Sequence, residues 1–158
     1  MPLPLTDPDV LTWIFTRMER NIEEAGEWDN APRLTTLTTS GPGELPKLTI
    51  SEIPPEKWTI LVAGIGAPDA TGDVDDDLAL YARTAKPLPG FLALVFTYEA
   101  DGDDDVPARR YLVAIDRDRN VYQVTREQGE EEATAARIAV PEDAFGPVLF
   151  EIAAALRG

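Results

Sequence analysis

Cysteine and histidine are both absent from this chain of 158 residues. Without cysteine there is no disulfide and no thiolate nucleophile. Without histidine there is no Ser-His-Asp or Cys-His site, no imidazole base and no zinc site of the usual Cys/His kind. Serine is scarce: Ser40 and Ser51 are the only two. Long apolar runs are missing as well. No window approaches the roughly 18 consecutive apolar residues of a membrane-spanning helix. The opening Met1–Asp7 stretch has no basic region and no long apolar region, so no secretory signal is expected. The expected location is cytoplasmic, with no membrane partner.

The acids dominate what is there. Asp and Glu number 29 against 14 Lys and Arg, a formal net charge of -15. That charge repels nucleic acid backbones and anionic lipid surfaces, so direct binding to either is not expected. It would steer a basic partner inward. A large negative charge also serves plain solubility. Hydrophobic residues make up 44% and charged residues 27%, enough apolar material for one core, and the expectation is a single domain over 1–158. The excess of arginine over lysine and the abundant alanine suit a GC-rich genome, as in actinobacteria or their phages.

Periodicity supplies the elements. Val10, Leu11, Ile14, Phe15, Met18 and Ile22 recur on one helical face, with Asp7 as N-cap, Pro8 at the first position and Gly26 as stop. Residues 33–39 and 47–53 read as strands. A helix is expected over 54–65 and a second over 74–85. Residues 91–98 are nearly all apolar and read as a central strand buried on both faces. Residues 109–116 and 120–127 form a hairpin about a polar turn. Residues 127–136 read as a polar excursion, and 141–157 as a helix whose start Pro147 disturbs. The expected fold is α+β, a single domain with an antiparallel sheet of about five strands and helices packed on it, in the order α-β-β-α-α-β-β-β-α.

Several constellations carry chemistry. Leu61-Val62-Ala63-Gly64-Ile65-Gly66 begins like a dinucleotide fingerprint, but Asp69 stands where the third glycine belongs and would repel a phosphate. The plainer reading is a helix end. Two acidic groups follow: Asp69, Asp73, Asp75, Asp76 and Asp77, and Glu99, Asp101, Asp103, Asp104 and Asp105. Hard cations want carboxylate oxygens at alternating loop positions, and Asp101, Asp103 and Asp105 have that alternation. Calcium-loop geometry fails in the second group, with Val106 at the sixth position and Leu112 at the twelfth. It fails again from Asp116, where Val121 is sixth, although Glu127 fits the twelfth. The plainer reading is a pair of solvated loops. A metal at these acids is left open, and no cofactor is expected. Pro68-Asp69 has no Glu-x-Lys downstream, so a nuclease pattern is absent.

Arg109, Arg110, Arg117, Arg119 and Arg126 gather on the late hairpin. They suit either pairing with the acids or a small anion or partner site. Guarding of a sheet edge against unwanted pairing is the favoured structural reading. Trp28 lies in a polar connector and is expected to fold back as a lid over the core.

Three segments together carry a resemblance. They are Glu27-Trp28-Asp29-Asn30-Ala31-Pro32-Arg33-Leu34, then Pro87-Leu88-Pro89-Gly90 before a strand ending Tyr98-Glu99, then Ile115-Asp116-Arg117-Asp118 with Val121-Tyr122. In these the chain resembles small acidic proteins of actinobacteria and their phages. The resemblance covers most of the chain, its motifs are structural, and it implies no activity.

The function expected from the sequence is a non-enzymatic protein-interaction module for a basic or nucleic-acid-handling partner. An inhibitor, an immunity protein or a phage accessory protein would be of this type. The partner-binding residues expected are Asp73, Asp75, Asp76, Asp77, Asp101, Asp103, Asp104 and Asp105, and no catalytic set is identified. The alternatives are a carboxylate-dependent, divalent-metal-assisted enzyme and a self-assembling structural protein.

Overall fold

The computed structural model describes residues 5–26, 28, 32–40, 47–54, 74–100, 102–138 and 146–158. Six strands form one antiparallel sheet: β1 (Arg33–Ser40), β2 (Lys47–Ile53), β3 (Phe91–Ala100), β4 (Arg109–Asp116), β5 (Val121–Glu127) and β6 (Thr134–Ile138). Their order across the sheet is β2-β1-β3-β4-β5-β6. Three helices accompany them among the described residues: α1 (Pro8–Glu24), α2 (Val74–Thr84) and α3 (Gly146–Arg157). The α+β class is as the sequence indicates, and the strand count is six rather than about five.

β6 corrects the reading of 127–136 as a polar excursion. It is an edge strand whose residues 134–137 are all exposed. A strand buried on neither face carries no apolar alternation, so its sequence looks like a loop. The helix expected over 54–65 and the glycine motif at 61–66 lie outside the described residues, apart from Pro54.

The sheet has a helix layer on each side. α1 crosses β4, β5 and β6 on one face. Leu11, Ile14 and Phe15 pack there against Leu37, Val95, Leu112, Ala114, Tyr122 and Val124. α3 lies over β3 and β4 on the other face, with α2 beside it. Leu149, Ile152 and Leu156 meet Leu78, Leu94, Phe96, Val113 and Ile115 there. β3 therefore feeds both cores, which explains its unbroken apolar run and its burial over 91–97.

Local signals fix the ends of the elements. Asp7 Oδ1 accepts the Asp9 amide at 2.9 Å, and Pro8 stands at the first turn of α1. Gly26 follows the helix at φ 82°. Gly90 turns into β3 at φ 72°, and its carbonyl accepts the Thr39 amide at 2.9 Å. The β1–β3 register shifts at this point, between Leu37 and Thr38.

Antiparallel pairing gives the sheet two distinct ends. The registers Leu34↔Ile53, Arg33↔Thr97, Ala100↔Arg109, Arg109↔Glu127 and Thr125↔Thr134 lie at one. Ser40↔Lys47, Thr38↔Phe91, Ala93↔Asp116, Ile115↔Val121 and Val121↔Ile138 lie at the other. The first end carries the β3–β4 and β5–β6 loops, and the second carries the β4–β5 turn.

Candidate functional site: the acidic end of the sheet

The acidic β3–β4 loop is built by its own side chain. Asp103 Oδ1 accepts the amides of Asp105 and Val106, each at 2.8 Å, and the Asp103 amide donates to the Val106 carbonyl at 2.7 Å. Gly102 allows the loop to close: a Cβ there would collide with the Ala108 amide and the Val106 carbonyl. With Asp103 bound to backbone, Asp104 and Asp105 stand exposed beside it.

A second acidic loop lies next to the first. The Arg109↔Glu127 register brings them together, and the Gln128 amide donates to the Ala108 carbonyl at 2.8 Å. Glu130, Glu131 and Glu132 are exposed on this loop. Glu130 Oε1 accepts the Glu127 amide at 2.7 Å and so holds the turn. Thus Asp103, Asp104, Asp105, Glu130, Glu131 and Glu132 share one end of the sheet.

The expected site residues divide. Asp103, Asp104 and Asp105 stand on this acidic end. Asp75, Asp76 and Asp77 fall in the first turn of α2, a different element from the β3–β4 loop. Asp73 and Asp101 lie outside the described residues. Glu130, Glu131 and Glu132 were not expected. Their signal is the run of three acids itself, which acquires meaning only once β5 and β6 pair.

Beneath the acidic loops lies a buried cluster of opposite charges. Glu19 on α1, Arg110 on β4 and Arg126 on β5 are all 2% exposed or less. Arg126 grips Glu19 with two nitrogens: Nε donates to Oε2 at 2.9 Å and Nη2 to Oε1 at 2.9 Å. Arg110 Nη1 donates to Glu19 Oε2 at 3.0 Å and to Glu23 Oε1 at 3.4 Å, and its Nε donates to Glu99 Oε2 at 2.9 Å. Arg126 Nη1 reaches the Glu130 carbonyl at 2.8 Å, which ties the cluster to the acidic loop above. Hydrogen bonding to Glu19 holds the Arg126 guanidinium above the ordinary arginine value, so its charge is secure.

Trp28 closes this cluster. The Arg110 guanidinium lies 4.2 Å from its ring centroid, and the indole N–H donates to Glu23 Oε1 at 3.0 Å. It is a lid, but over charges rather than over the apolar core. At the same end, Arg109 pairs with Glu127 and Arg33 lies 3.7 Å from Glu52. Every described arginine at this end therefore has a carboxylate.

The arginines of the late hairpin do not guard an edge. β6 pairs outside β5, so β4 and β5 are internal strands. Arg110 and Arg126 point into the α1 face of the sheet, and Arg117 and Arg119 sit in the β4–β5 turn at the far end.

A cleft of about 390 Å³ opens beside the acidic loops on the face opposite α1. Tyr98, Arg109, Tyr111, Gln123 and Thr125 line it. Tyr98 and Tyr111 stack at 5.0 Å with 15° between their planes. The one charged residue on its lining is Arg109, which Glu127 neutralises.

Among the described residues there is no group of three or more acids placed to hold a metal ion. No described helix is long and apolar enough to cross a membrane. No protein-family model matches the chain, and neither a curated protein nor a solved structure is found to be similar to it.

Proposed function

We propose that this chain is a non-enzymatic protein-interaction module whose acidic sheet end engages a basic or nucleic-acid-handling partner. One observation carries the reading. Two loops far apart in sequence place six exposed carboxylates together, where every described arginine is already neutralised. The local field is thus uncompensated, and a basic surface would meet it at an enhanced rate. The tyrosine-lined cleft next to these loops offers a stacking floor for an arginine or lysine stem.

The test is capture from a lysate of the native host at about 50 mM and about 500 mM salt, spanning a large change in screening. The bait is compared with a variant carrying Asp103→Asn, Asp104→Asn, Asp105→Asn, Glu131→Gln and Glu132→Gln. Asn at 103 keeps the oxygen that caps the loop, and Glu130 is left to hold its turn. The expected result is a basic protein retained at low salt, released at high salt and lost by the variant. Capture that ignores both salt and the substitutions overturns the proposal.

A further inference from the structure

We propose that the opposite end of the sheet binds a small organic anion, with its phosphate or carboxylate group held by Arg117 and Arg157 and with Arg119 adding its charge from the same turn. Its apolar body would lie against Pro87, Pro89 and Phe91. This proposal does not depend on the acidic end.

Two elements bring these arginines to one place. Arg117 and Arg119 belong to the β4–β5 turn, and Arg157 ends α3. Arg157 Nη1 donates to the Arg117 carbonyl at 3.2 Å, which fastens the helix end to the turn. The turn itself is fixed. The Asp116 amide donates to the Asn120 carbonyl and the Arg119 amide to the Asp116 carbonyl, both at 3.0 Å. Arg119 takes φ 70°, a left-handed conformation that a non-glycine residue adopts at a cost. The Arg117 amide donates to the Leu92 carbonyl at 2.9 Å, so the backbone beneath the guanidinium is anchored to β3.

The carboxylate best placed to neutralise these arginines is occupied elsewhere. Asp116 is 2% exposed. Its Oδ1 accepts the amides of Asp118 and Asn120 at 2.8 and 2.9 Å. Its Oδ2 accepts Asn120 Nδ2 at 2.9 Å and the Tyr122 hydroxyl at 2.8 Å. Both oxygens are satisfied by turn and core donors. Among the described residues, none of Arg117, Arg119 and Arg157 has a carboxylate within ion-pair distance. Asp118, on the same turn, makes no such pair either. Three like charges collected in a chain with 29 acids, none of them paired, are a charge pattern that an external anion completes.

The space suits a small ligand. A cleft of about 300 Å³ runs between Arg117 and Arg157, walled by Pro87, Leu88, Pro89, Gly90 and Phe91. That volume lies at the lower limit of ordinary small-molecule sites, where an apolar wall gives area and a few charged groups give orientation. The last carbonyls of α3 also face this end and would repel an anion. That of Leu156 is already taken by the Leu88 amide at 2.8 Å, which lowers this opposition.

The test is a titration of the ¹⁵N-labelled protein with phenyl phosphate, inorganic phosphate and benzoate at constant ionic strength, followed by amide shifts. Phenyl phosphate against phosphate isolates the apolar body, and benzoate against phenyl phosphate isolates the head group. Saturating shifts centred on Phe91, Arg117, Arg119 and Gly158 are expected, with Kd about 0.1–1 mM for phenyl phosphate. The double variant Arg117→Gln, Arg157→Gln should weaken it by about tenfold or more, with the melting temperature lowered only slightly. The acidic-end variant described above should bind as the parent does. Shifts that fail to saturate, that survive in the double variant, or that spread to Arg17, Arg83 and Arg137 overturn the proposal. Shifts at the same amides that follow protein concentration alone assign the arginines to a second copy, and overturn it too.

Discussion

Arginine is used in opposite ways at the two ends of one sheet. At the acidic end, Arg110 and Arg126 are buried, held by Glu19, Glu23 and Glu99, and covered by Trp28. At the other end, Arg117, Arg119 and Arg157 are exposed and lack ion-pair partners among the described residues. Asp116 resembles Glu19 in burial, yet it is satisfied by amides and one hydroxyl instead of by guanidinium. The difference lies in what surrounds each group. Buried charge must be matched within the fold, while exposed charge remains available to something outside it. The acidic surface owes its strength to that internal matching, because the arginines that would dilute it are already engaged.

The largest expected effect comes from breaking the buried set. Glu19→Ala leaves Arg110 with Glu23 and Glu99 and strips Arg126 of its paired carboxylate beneath α1. The expected cost is about 3–5 kcal/mol in urea unfolding. Arg117→Gln at the far end should cost about 0.5 kcal/mol or less, as for an exposed group. Equal costs for the two substitutions would erase the contrast between the ends.

Next comes the backbone clamp at the arginine end. Gly90→Ala places a side chain at φ 72°, where its Cβ would collide with the Thr39 carbonyl. The strain alone is about 1–3 kcal/mol, with the collision added to it, and the entry into β3 should loosen. Faster hydrogen exchange at the Thr39 and Phe91 amides is the measurement. Unchanged protection there would show that the clamp is not needed.

Tyr122 sharpens the comparison through pH. Burial first, then its bond to Asp116, hold the Tyr122 hydroxyl well above the usual tyrosine value of 10.0. An unfolded tyrosine ionises near that ordinary value while the folded one does not. The stabilisation is therefore fully present below pH about 10 and is lost as pH rises above it. Tyr122→Phe should cost about 1–3 kcal/mol at neutral pH by removing a donor from buried Asp116. It should also flatten the alkaline decline. A decline of unchanged slope would place its origin in another group.

Much of this arrangement is legible in the sequence, and the illegible part has a physical reason. α1, β3 and the β4–β5 hairpin follow from apolar period and turn residues, because each buries a face. β6 buries none and so leaves no signal. The buried cluster leaves a signal that is easily misread. Glu19 falls four residues after Phe15 on the apolar stripe of α1, and Arg110 and Arg126 stand two residues from Leu112 and Val124 in the inward phase of their strands. Charged residues in inward phase read as interruptions of a core until all three are seen together. The acidic end is half legible: the run at 103–105 declares itself, but only the pairing of Arg109 with Glu127 shows that Glu130–Glu132 lies beside it.

The smallest expected effect tests whether the acidic end is strained by its own charge. Asp104 and Glu131 are exposed, and no described ion pair offsets either of them. Repulsion between neighbouring carboxylates disfavours the compact state, and salt screens it. Asp104→Asn with Glu131→Gln should therefore raise the melting temperature by about 1–2 °C at about 20 mM salt, corresponding to a few tenths of a kcal/mol. The gain should fade by about 500 mM, where the Debye length falls to about 4 Å. Arg117→Gln in the same low salt should lower the melting temperature slightly, since it removes a positive charge from a chain of net -15. Opposite signs at the two ends, both vanishing with salt, would establish that the polarity acts through the field. A shift that persists at high salt would instead assign the effect to local contacts, and the acidic loops would then be structural turns rather than a charged surface kept open for a partner.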